Sequence, residues 1–215
     1  MIMSHFLYRY VRLLLALGFL LSYPAAHAQA RAQNILVLGD SISAAYGMSL
    51  QQGWVALMAK RLEQDFPDYA IVNASISGDT TGGGLRRLPD LLQRHKPTLV
   101  VIELGANDGL RGYPLGSLRR NLLEMVNISQ AAGARVVLLP MEIPPNYGSR
   151  YTTGFRDTFA AVAAQTDSAL APFIMQGFAT DTNMMQADGI HPTVAAQPRL
   201  LDNVLPTIIA ALDTP

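Results

Sequence analysis

Cysteine is absent from the 215-residue chain. No disulfide can hold the fold, and neither a thiol nucleophile nor a thiolate metal site can exist. Histidine is scarce: His5, His27, His95 and His191 are the whole supply. Two of these fall in the N-terminal segment discussed next, and His95 and His191 alone cannot furnish a zinc or iron centre, so no metal and no cofactor is expected. Charge is low as well, with 16 basic and 16 acidic residues and no basic cluster. That balance excludes a nucleic-acid partner. Long apolar runs are missing too. The strongest, Leu13 to Leu21, is too short to span a bilayer.

The short run has a different meaning in its setting. Arg9 and Arg12 precede it, and Ala26-His27-Ala28 follows as an A-x-A cleavage site. This is the pattern of a secretory signal peptide, residues 1–28, with Ala28-Gln29-Ala30 as a second possible cleavage point. Residues 29–215 then remain as one domain large enough for a full core, carrying 14 basic and 16 acidic residues for a net charge of −2. A periplasmic or secreted protein is expected, acting as a monomer and touching membrane lipid at most transiently.

Along that domain, apolar segments alternate with amphipathic ones. Ile35-Leu36-Val37-Leu38 is a strand buried on both faces. Residues 53–66 repeat apolar side chains at helical spacing, and Tyr69 to Ala74 follows as a second strand. A helix begins near Gly82-Gly83-Gly84, and Pro97 breaks the chain before a third strand, Thr98 to Leu104. The next helix runs through Leu118, Leu122, Met125 and Val126 to Gly133, and Arg135 to Leu139 is the fourth strand. A proline-rich loop, Pro140 to Gly148, precedes a helix over residues 155–171, a weak fifth strand from Pro172 to Phe178, a loop over 179–192 and a terminal helix over 194–213. Strands alternating with helices imply a three-layer α/β/α domain around a parallel sheet.

In such a sheet the loops at the carboxyl ends of the strands open on one edge, where ligands bind. Ser41, Gly78, Asn107 and the pair Asp188 and His191 occupy those loops. Taken singly, each admits a plainer role: Ser41 and Asn107 as helix caps, Gly78 as a turn residue, Asp188 as a partner of its own loop backbone. Taken together they are the residue types of acyl transfer, with His191 receiving the Ser41 proton and Asp188 orienting the imidazole. His95 is the competing base, but it lies among Gln93, Arg94 and Lys96 at a helix end, where a histidine complements the dipole. Two other chemistries fail on the residues. A nucleophile elbow needs glycine at position 43, which is Ser43, and a phosphate loop needs lysine where Gly84 stands.

Gly39-Asp40-Ser41, Gly78, Gly105-x-Asn107-Asp108 and Asp188-x-x-His191 resemble, in order and spacing, the SGNH (GDSL-type) hydrolases. Longer stretches, among them LGDSISAAYGM, ELGANDGLRG and DGIHPT, are similar to the periplasmic acyl-CoA thioesterase/lysophospholipase/arylesterase branch. The resemblance implies a flavodoxin-like fold with five parallel strands. It also implies Ser41 as nucleophile, His191 as base and Asp188 as its partner, with the Ser41 and Gly78 N–H groups and the Asn107 amide as oxyanion donors. The expected substrate is a small acyl ester or thioester. Its acyl chain would lie on Leu110, Tyr113 and Leu115 after the third strand and on Ile143, Pro144 and Tyr147 after the fourth. An esterase for acetylated sugar or peptidoglycan, and an exported binding protein without catalysis, are the alternatives.

Overall fold

In the computed structural model, which describes residues 33–213, the first apolar run forms β1 (Gln33–Gly39), and Ile35 to Leu38 are wholly buried. The expected signal peptide lies outside the described residues. Each of those side chains gains about 1.5–3 kcal/mol from leaving water, which is why a strand with no polar face is placed in the middle of the sheet. β3 (Leu99–Glu103) is buried along its whole length beside it. β2 (Tyr69–Asn73), β4 (Arg135–Leu138) and the two-residue β5 (Ala169–Leu170) complete a parallel sheet in the order β2-β1-β3-β4-β5. This is the flavodoxin-like order, whose switch point lies between β1 and β3.

Among the described residues six α-helices flank the sheet: α1 (Trp54–Asp65), α2 (Thr81–His95), the short α3 (Ala106–Leu110), α4 (Leu115–Ala131), α5 (Ser149–Thr166) and the terminal α6 (Gln197–Asp213). α2, α4 and α5 pack side by side on one face, and α1 and α6 pack together on the other. The Gln197 side chain accepts from the Trp54 N–H (2.9 Å), joining those two helices at their N-termini. One continuous core runs through both layers.

The sequence expectation fails around the fifth strand. α5 starts at Ser149, directly after Gly148, and stops at Thr166 because Asp167 takes a left-handed conformation (φ 52°). The residues assigned to the end of that helix, Ala169 and Leu170, are the strand itself. The stretch Pro172 to Phe178 is a series of turns instead. Ile174, Met175 and Phe178 are buried there against the core rather than through a ladder.

Candidate active site

Ser41 begins the turn that leaves β1 at the switch point. Its Oγ lies 2.9 Å from His191 Nε2, and His191 Nδ1 lies 2.7 Å from Asp188 Oδ2. Aspartate and histidine share one loop, and Gly189 between them (φ 66°) turns the backbone so that both can face the same way. Asp188 Oδ1 accepts the N–H groups of Ile190 (2.9 Å) and His191 (3.0 Å). The His191 N–H first, then its ring, and the Ile190 N–H hold the Asp188 carboxyl down to about 2. An ionised carboxylate only accepts, so Nδ1 must donate, and Nε2 is left with its lone pair toward Ser41.

On the other side of Ser41 stand the expected oxyanion donors. The backbone N–H groups of Ser41 and Gly78 donate to no protein acceptor among the described residues. The Asn107 Nδ2 gives one hydrogen to Asp40 Oδ2 (3.0 Å), which leaves the other for a ligand. Ser41, Gly78, Asn107, Asp188 and His191 therefore all stand at the edge the sequence predicts. His95 ends α2, away from them.

Several residues that sequence reasoning passed over brace this constellation. Beneath Ser41, Glu103 is fully buried: Oε2 accepts from the Ser43 hydroxyl (2.7 Å) and the Asp40 N–H (3.3 Å), while Oε1 has no partner among the described residues. A Cβ on Gly39 would come within 2.7 Å of Glu103 Oε2 and of Ser43, so the first residue of the G-D-S motif must be glycine. Burial raises both carboxyls of the pair, Asp40 to about 6 and Glu103, which also faces the Asp40 charge, well above its usual value. Glu103 is thus the neutral member. Asp40, which accepts from the Ile42 N–H (3.1 Å) and from Asn107, carries the charge. The available signal was one acidic residue ending an otherwise apolar strand.

Asp108 is also buried and binds both the Thr81 N–H (2.8 Å) and the Thr81 hydroxyl (2.5 Å), tying the Asn107 turn to the start of α2. Arg87 pairs with Asp79 (2.9 Å) and donates to the Ala74 carbonyl, and Arg111 donates to the Gly78 carbonyl (3.0 Å). On the histidine side, Gln186 Nε2 donates to the carbonyls of Tyr46 (2.9 Å) and Pro192 (3.0 Å), and its N–H donates to the His191 carbonyl (2.7 Å). The Tyr46 ring lies 4.3 Å from the His191 ring.

A cavity of about 350 Å³ opens beside Ser41, lined by Ile42, Ala106, Leu110, Ile143, Pro144 and Met185 among others. Three of the residues expected in an acyl site, Leu110, Ile143 and Pro144, line it. Tyr113, Leu115 and Tyr147 lie outside that lining. Leu115 is the first residue of α4 and packs on the core. Tyr113 is largely exposed, its carbonyl taken by the Tyr151 hydroxyl, and the Tyr147 hydroxyl donates to the Leu110 carbonyl. Aromatic side chains in loops can serve as struts as readily as walls, and their spacing in the sequence does not tell which. Among the described residues no group of three or more His, Asp or Glu is arranged to hold a metal ion.

The chain is similar to proteins of known family. The model of the GDSL-like lipase/acylhydrolase family matches residues 37–198. Esterase TesA of Pseudomonas aeruginosa is 58% identical over 180 residues, covering 84% of this chain and 90% of the relative. The thioesterase 1/protease 1/lysophospholipase L1 of Escherichia coli K12 is 42% identical over 173 residues, 80% of this chain and 82% of that protein. A crystal structure of TesA superposes with a TM-score of 0.81 at 57% identity, over 83% of this chain and 99% of the other.

Proposed function

This chain belongs to the GDSL-like lipase/acylhydrolase family and is an esterase, and on that premise we propose that Ser41, His191 and Asp188 hydrolyse acyl esters and thioesters through an acyl-enzyme. The observation that carries the reading is the unbroken line Ser41 Oγ to His191 Nε2 (2.9 Å) and His191 Nδ1 to Asp188 Oδ2 (2.7 Å). As Ser41 Oγ attacks the carbonyl carbon, its proton passes to Nε2, and the ionised Asp188 stabilises the imidazolium that forms. The carbonyl oxygen gains negative charge and meets the Ser41 N–H, the Gly78 N–H and the free Asn107 hydrogen. Collapse breaks the bond to the alkoxide or thiolate, which leaves with the proton from Nε2. Water then repeats the sequence: it gives a proton to Nε2, attacks the acyl carbon, and Ser41 departs with that proton, releasing the carboxylic acid. Asp188, held down to about 2, is a carboxylate throughout the neutral range.

The apolar cavity beside Ser41 supports an acyl chain longer than acetyl, with Leu110 and Ile143 as walls. The relatives named esterase, thioesterase and lysophospholipase support the same range of substrates for this chain. The N-terminal pattern supports export, with action in the periplasm or outside the cell. Two measurements test the reading. A fluorophosphonate should label Ser41 and nothing else, and Ser41→Ala should lower kcat on p-nitrophenyl esters by about 10⁴-fold or more with the fold intact. Labelling at another serine, or full activity in Ser41→Ala, rejects the assignment. A profile of p-nitrophenyl esters that peaks at acetyl and ignores Leu110→Ala and Ile143→Ala favours the O-acetyl esterase instead.

A further inference from the structure

A second and larger cleft adjoins the cavity at Ser41. It holds about 740 Å³ between α5 and the turns after β5, with Arg156, Ala160, Leu170 and Phe178 among its walls. Glu142, Phe173, Met175, Ala179 and Thr180 line both spaces, so they form the sill between them. Met175 is buried, whereas Glu142 and Thr180 are exposed, and the sill therefore rises from the core to the surface.

Two features of the cleft point to an apolar occupant. Leu170 is 38% exposed within it. It ends β5 and faces the space the sill leads to, so an apolar side chain of the sheet is left open to the cleft. At the cleft, Arg156 Nε meets Glu142 Oε1 at 3.0 Å, so these two charged ends pair with each other rather than standing alone against the groove.

Volume supplies the reason for a second compartment. A methylene takes about the space of a water molecule, roughly 30 Å³, so 350 Å³ holds about a dozen carbons. A hexadecanoyl chain overfills it by several. Left in water, each surplus methylene forgoes about a threefold to fourfold gain in binding.

Building on the ester hydrolase reading above, we propose that this second cleft is a distal acyl subsite. It takes the far end of chains longer than about twelve carbons, as in long-chain monoacyl lipids and long-chain acyl thioesters. The carbonyl stays at Ser41, the first dozen carbons fill the near cavity, and the remainder crosses Phe173 and Met175 to lie along Leu170 and Phe178. Chains of eight carbons end before the sill and do not use it.

The test is the ratio of kcat/KM for hexadecanoyl-CoA to that for octanoyl-CoA. Both are used below their aggregation thresholds, and release of the thiol is followed with a thiol reagent. Ala160→Trp should fill the cleft from exposed α5, and Leu170→Asp should make its floor polar. Each should lower the ratio about tenfold. A ratio unchanged in both variants overturns the subsite, as does a wild-type profile that stops at dodecanoyl while shorter chains turn over. Absence of turnover on any ester or thioester overturns the hydrolase reading along with it.

Discussion

The two sides of Ser41 are held in place by opposite means. The oxyanion side is assembled from residues far apart in the chain: Asn107 reaches Asp40, Thr81 reaches Asp108, and Asp40 rests on Glu103, with most of these groups buried. The acid–base side is local. Asp188 and His191 lie three residues apart on a loop in contact with solvent, and short backbone hydrogen bonds within that loop fix their geometry. Where a group must only donate to a developing charge, the molecule uses rigid buried support. Where a proton must come and go, it keeps the partners close in sequence and wet. A buried charge is costly to hold and does not shift, whereas an exposed loop rearranges cheaply.

Substitutions on either side should expose this difference. Asn107→Ala removes a donor from the rigid side, and kcat should fall by about 10²–10³-fold with a much smaller change in KM. Steady-state kinetics on p-nitrophenyl butyrate decide it, since a change confined to KM would make Asn107 a substrate-binding residue only. Gln186→Ala loosens the local side, because its amide joins the Tyr46 carbonyl of the serine loop to the Pro192 carbonyl beside His191. A displacement of about 1 Å costs about 10²-fold at most, so a loss of about tenfold in kcat is expected, with the rate of fluorophosphonate labelling falling in parallel. Unchanged labelling would show that Gln186 does not set the distance between Ser41 and His191.

The smallest effect concerns the buried pair. Because burial raises the native pKa of Asp40 and Glu103, the folded state holds protons that the unfolded chain releases near pH 4. Stability that is present below that pH is therefore lost as pH rises through about 6, where Asp40 ionises, and beyond, where Glu103 would. Glu103→Gln removes one of the two groups. The drop in melting temperature between pH 5 and pH 8 should shrink by about 2–4 °C, the equivalent of about 1 kcal/mol in a domain of this size. An equal drop in the variant would mean that Glu103 does not hold its proton in the native state.

The same contrast governs what could be read from the sequence. The strands β1 and β3 declare themselves because burial on both faces forces unbroken aliphatic runs. Asp188 and His191 are legible because their partnership is a spacing of three. Glu103 and Gln186 are not, since what makes them matter is a neighbour 60 or 140 positions away, Ser43 for one and Tyr46 for the other. β5 was misplaced for a related reason. The apolar run after Pro172 has strand composition, but it spends its side chains on the core through turns, and Asp167 ends α5 early enough for two residues to pair with β4. Loop aromatics stay ambiguous, because Tyr113 and Tyr147 look the same in a sequence whether they touch a ligand or hold a loop.

The brevity of β5 bears on how the molecule behaves among copies of itself. An outer strand presents unpaired N–H and C=O groups that can recruit another chain, and the hazard grows with the length of the exposed ladder. Here the outer rung on that side, Ala169–Leu170, is two residues long and offers too little backbone to nucleate such pairing. The same truncation that hid the strand from sequence reading blunts the sheet against edge-to-edge aggregation.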